Sequence, residues 1–137
     1  MSAGSLPPAA QALAAALVDD PFYATLVMHL PVGSAQRLAT LGRYFAYAVE
    51  EAQARGRLTL ADPPADGAAV WLLPEEDATR RARERAKHQA LHTILGPEGF
   101  ARYAAMVAAM ERCTAPVVPA GSWYLSILGV FPEQQGR

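Results

Sequence analysis

An α/β fold, more narrowly α+β, with a mixed and mostly antiparallel sheet flanked by helices, is what this sequence predicts. Three observations predict it. Residues 34–55 carry apolar side chains at helical spacing between recognisable end signals, and 75–95 run from an acidic helix start to a Gly-Pro stop. Two short apolar runs, Arg57–Asp62 and Ala68–Leu73, flank the turn Pro63-Pro64-Ala65-Asp66-Gly67, the pattern of a hairpin. A third run, Ser122–Val130, reads SWYLSILGV and is rich in aromatic and branched residues. A chain of 137 residues, 52% hydrophobic and 18% charged, is sized for one domain with a sizeable core.

The elements follow in chain order. Met1–Pro8 is small, polar and proline-containing, a frayed terminus. Ala9–Val18 is a run of alanine and leucine, strong helix formers, with Pro7 and Pro8 at the tolerated N-terminal turn. Asp19-Asp20-Pro21 ends it, and residues 22–28 restart a short helix. Ser34 is the N-cap of the clearest helix, on which Leu38, Leu41, Phe45 and Val49 form a stripe flanked by Tyr44 and Ala48, and Gly56 takes the C-cap. Tyr44, Phe45 and Tyr47 fit either a pocket wall or, more simply, the core. Glu75, Glu76 and Asp77 suit the positive end of the next helix, which Gly96-Pro97 closes. A further helix runs over 97–112, with Phe100, Tyr103, Ala104, Val107 and Met110 on one face. Residues 114–121 loop back to the last strand.

That strand is apolar almost throughout, which predicts burial on both faces, and Gly129 within it predicts a bulge or a close backbone approach. Pro132 has no N–H to donate and stops the pairing.

Composition excludes several function classes. A net charge of −1 argues against a general nucleic-acid binder. No apolar run reaches the length of a membrane span, and no signal peptide is visible, so no membrane partner and a cytoplasmic location are expected. The single Cys113 excludes an internal disulfide framework and is read as a small buried apolar residue rather than a nucleophile. Five bases within Arg80–Lys87 invite a phosphate-binding reading, but Glu84 interrupts them and they spread around the helix, which suits a solvated face. His88 and His92 have the spacing of H-E-x-x-H, yet Gln89 stands where the glutamate base belongs and no third ligand is evident. His92 near a helix C-terminus is equally accounted for by the helix dipole. No metal is expected.

The stretch Leu128-Gly129-Val130-Phe131-Pro132-Glu133-Gln134-Gln135-Gly136-Arg137 resembles the GNAT superfamily of N-acetyltransferases. There the fourth strand ends in a run like L-x-V-x-P-x-x-Q and enters a loop of pattern Q/R-x-x-G-x-G/A. Ala68-Ala69-Val70-Trp71 is similar to the family's third strand, and Ala16-Leu17-Val18-Asp19-Asp20-Pro21-Phe22-Tyr23 to its first helix and following loop. The resemblance implies a three-layer sandwich with the first strand missing and the C-terminal part absent. It implies acetyl-CoA as co-substrate and a small-molecule amine as acceptor, attacking the thioester directly. A non-catalytic relative of the same scaffold, or an inactive fragment, is the alternative.

On this reading Leu128, Gly129 and Val130 offer main-chain groups to the pantetheine arm and the acetyl oxygen, and Gln135, Gly136 and Arg137 begin the pyrophosphate loop. Asp20, Phe22, Tyr23, Tyr124 and Ser126 face the acceptor, with Asp20 equally accounted for as a helix cap. No general base or general acid is assigned, because the strand carries no carboxylate. Residues 1–137 alone are expected to be incompetent, with a bare apolar strand edge inviting a homodimer.

Overall fold

The computed structural model describes residues 5–61 and 66–136. The expected frayed start, most of the hairpin turn and Arg137 fall wholly or partly outside them. The architecture is α+β: α1 (Pro8–Leu17), α2 (Pro21–Leu26), α3 (Ala35–Arg55), β1 (Arg57–Leu60), β2 (Gly67–Leu72), α4 (Asp77–Thr114) and β3 (Tyr124–Val130), then a 3-10 turn at Pro132–Gln134. The strands form one antiparallel sheet in the order β1-β2-β3. No parallel pair is present among the described residues, so the expected mixed sheet is here purely antiparallel.

Local chemistry accounts for the helix ends. The Asp20 carboxylate accepts from the N–H groups of Phe22 (2.9 Å) and Tyr23 (3.5 Å), and Pro21 occupies the first turn of α2. Ser34 Oγ accepts from Arg37 N at 3.3 Å to start α3. α4 is two helical segments, 77–95 and 97–114, joined at Gly96, whose φ of 74° only glycine adopts at little cost. Pro97 then opens the second segment, where its missing N–H is no loss. The Gly96-Pro97 boundary read from the sequence is therefore this joint.

The core lies between the helices and one sheet face. Leu13, Leu26, Leu41, Phe45, Val49, Val70, Leu91 and Leu95 are buried there. Leu38, expected on the same stripe, is instead exposed, as is Met110 on α4. α1 and α3 pack on the sheet and on each other, while α4 packs on α2 and α3. Ala68, Val70, Ile127 and Gly129 share the helix-facing side through the register Ala68↔Gly129 and Val70↔Ile127.

The opposite side carries Trp71 and the exposed Leu125 and Leu128, through Trp71↔Leu125 and Ala69↔Leu128. Among the described residues no helix covers it. Two layers therefore stand where three were expected, and β3 is an edge strand with one buried face, not an interior strand buried on both. Continuous apolarity misled because Leu125 and Leu128 are apolar without being covered.

The bulge also lies elsewhere than expected. The register slips between Val70 and Trp71, whose partners are Ile127 and Leu125, so Ser126 is the extra residue. Gly129 instead serves the close approach: a Cβ there would stand 3.1 Å from Leu13 Cδ2 and 3.2 Å from Ala16 Cβ of α1.

Candidate functional site

The residues singled out from the sequence gather at the two ends of β3. At its C-terminal end Leu128 is exposed, Gly129 is pressed on α1, and Val130 pairs with Gly67. The chain leaves β3 with Phe131 N still donating to Asp66 O at 2.7 Å. It then tightens into the 3-10 turn, and Gln135 Nε2 reaches back to Val130 O at 3.0 Å. Gly136 follows with φ +79°, a left-handed conformation. Gln135 before it is extended, with φ −68° and ψ 138°. Arg137 lies outside the described residues. The outer edge of β3 has no sheet partner among the described residues, and there the Gln135 side chain takes Val130 O.

At the N-terminal end, Tyr124 opens β3 on the helix-facing side, opposite Leu72. Its phenol lies within electrostatic reach of Tyr23 and Tyr44. Tyr23 in turn packs edge-on against Phe22 (5.0 Å) and Tyr44 (5.8 Å). Asp20 is committed to capping α2 yet stays close enough to push the Tyr23 phenol up. Phe22, Tyr23, Asp20 and Tyr124 therefore come together. Ser126 stands apart from them as the bulged residue.

Two tyrosines of this cluster were not singled out as site residues from the sequence. Tyr44 was read as core on the α3 stripe, and Tyr103 only as a face residue of the last helix. Their rings stand 6.3 Å apart, and burial pushes the Tyr44 phenol well up and the Tyr103 phenol up to about 12. The sequence offered only that each is a phenol on an apolar helix face.

The basic run on α4 is not simply a solvated face. Arg83 Nε meets Glu75 at 2.8 Å and its Nη1 meets Glu51 at 3.4 Å, while Lys87 Nζ meets Glu51 at 3.4 Å. All four side chains are nearly buried, and they fasten α4 to α3. Arg80, Arg81 and Arg85 are exposed, as expected of that face. Cys113 is exposed too, which corrects its reading as a buried residue. His88 and His92 line an open groove of ≈ 480 Å³ with Gln89 and Phe100. Among the described residues no group of three or more ligating side chains is present to hold a metal ion. No helix of the described residues is long and apolar enough to cross a membrane.

No protein-family model matches this chain, and no curated protein matches it either.

Proposed function

We propose that this chain carries the cofactor strand and the acceptor side of a GNAT-type N-acetyltransferase acting on a small-molecule amine. One observation carries the reading. The motif Leu128–Gly136 runs from strand, through a proline-started turn, into a left-handed glycine, in the order that such a loop requires. The outer edge of β3 beside it and the exposed Leu128 fit the approach of an extended acyl-carrier arm.

Acetyl-CoA, when bound, supplies the activated acetyl group. The chain's own part is positioning. Main-chain N–H groups on the outer edge of β3 donate to the acetyl oxygen, where charge develops as the amine attacks, and such fixed donors are usually the largest catalytic term. The Gly136 region begins the cradle for the pyrophosphate. The aromatic cluster at the other end of β3 presents the amine.

A second reading has an observation of its own. The uncovered sheet face with Leu125 and Leu128, beside the exposed Trp123, suits a protein that uses this scaffold to bind another macromolecule without turnover. Calorimetric titration of acetyl-CoA into the polypeptide as its gene encodes it separates the two, with thiol release followed over a panel of amines. Micromolar binding with thiol release is the expected result. No acetyl-CoA binding would overturn the acetyltransferase reading and favour the second.

A further inference from the structure

The two segments of α4 meet again beyond their joint. Along an unbroken helix His88 and Phe100 would stand about 18 Å apart, yet their ring centroids are 5.6 Å apart. Gly96, with φ 74°, makes the turn that brings them together. Phe100 also meets His92, with 5.3 Å between centroids, and Tyr103 meets His88 at 6.3 Å. Two imidazoles of the first segment thus lean on an aromatic wall supplied by the second. The groove of ≈ 480 Å³ lined by His88, Gln89, His92 and Phe100 opens beside them.

His88 and His92 lie one turn apart on regular helix, so their Cβ atoms are about 5–6 Å apart on one face. Two imidazoles at this spacing reach a single metal ion. Both residues are exposed to solvent. Among the described residues the histidine hydrogen bond present is that of His29 Nδ1 with Arg102, at 3.1 Å, which leaves the ring nitrogens of His88 and His92 open to a ligand. Contact with Phe100 restricts both rings before any ion arrives, and such preorganisation lowers the ordering cost of binding. The local charge does not forbid a cation. Lys87 is engaged with Glu51 at 3.4 Å, and Glu84 and Arg85, one turn before His88, are of opposite sign.

We propose that His88 and His92 clamp one divalent late transition-metal ion in this groove, copper(II) most tightly, with water in the remaining positions. Two imidazole nitrogens and water oxygens compose the tetragonal N,O set that copper(II) favours, and copper(II) leads the divalent series at such sites. The expectation of no metal rested on the missing third ligand and on Gln89 in place of a glutamate base. Those absences exclude a closed site and a hydrolytic role; they leave an open two-histidine clamp intact. The clamp does not rest on the acetyltransferase reading.

The test titrates copper(II) chloride at pH 7, in a buffer that does not bind metal, into the wild-type chain, His88→Gln and His92→Gln, by calorimetry and electron paramagnetic resonance. Wild type should take up one ion per chain, with hyperfine splitting from two imidazole nitrogens. Each variant should bind about a hundredfold more weakly, because the second ligation is no longer intramolecular. Copper should raise the melting temperature of wild type and not of the variants, whose metal-free melting should match wild type because both side chains are exposed. No copper binding, wild-type affinity in either variant, one ion per two chains, or a wild-type spectrum without two imidazole nitrogens overturns the proposal. Should a variant fail to fold, the wild-type spectrum and the remaining variant decide on the same criteria.

Discussion

Arg83 shows how much one side chain decides here. It holds two carboxylates, Glu75 and Glu51, that have little access to water. Removing one member of a buried ionic group strands the others, which typically costs about 3–5 kcal/mol. Arg83→Met should therefore lower stability by about that much in urea denaturation. Adding Glu51→Gln should make the pair of changes cheaper than their sum, because one of the two carboxylates that Arg83 held is then neutral. The phenols yield a second expectation, in pH. Burial raises Tyr23, Tyr44 and Tyr103 above the ordinary 10.0, with Tyr103 reaching about 12. In the unfolded chain they ionise near 10, while the folded chain keeps its protons. Their contribution is complete below pH 10 and is lost as pH rises toward and through the folded values. Melting temperature should hold across neutral pH as far as these groups are concerned and fall above about 10. Absorbance near 295 nm should then show late phenolate formation coinciding with unfolding.

At the scale of elements, ends were legible in the sequence and faces were not. Asp20, Ser34 and the pair Gly96-Pro97 act through bonds and dihedrals within a few residues of themselves, so their roles could be read directly. The strand Tyr124–Val130 was legible too, within two residues of its start. Which side of it is covered depends on partners far along the chain, and nothing local in Leu125 or Leu128 records that. The same holds for Arg83 and Lys87, which meet Glu51 across separations of 32 and 36 residues. Of the candidate site, the β3 motif and Tyr23 were readable, whereas the association of Tyr44 with Tyr103 needed the packing of α3 on α4. Gly129 carries the prediction at this scale. Its missing side chain lets Leu13 and Ala16 of α1 lie on β3. Gly129→Val should wedge the two apart and cost about 1–3 kcal/mol, read as a lowered melting temperature.

For the molecule as a whole, the distribution of layers matters most. Every strand offers one face to helices, and the other face leaves Leu125 and Leu128 in solvent beside an unpaired strand edge. Edges of this kind pair with other chains unless they are covered or charged. Sedimentation over a range of micromolar concentrations should show self-association, and Leu128→Lys should suppress it without lowering the melting temperature. A monodisperse wild-type monomer at every concentration would count against the strand edge as an association site.

The path of the chain adds a temporal asymmetry. β1 and β2 are near neighbours in sequence, but β3 joins β2 only after the 38 residues of α4 have gone out and come back. Closing a longer loop carries a larger entropic cost, so contacts across it form late. β3 is thus expected to be the last strand to arrive. A ligand gripping its outer edge could therefore bind only after that last closure, and its site would be the final part of the molecule to exist.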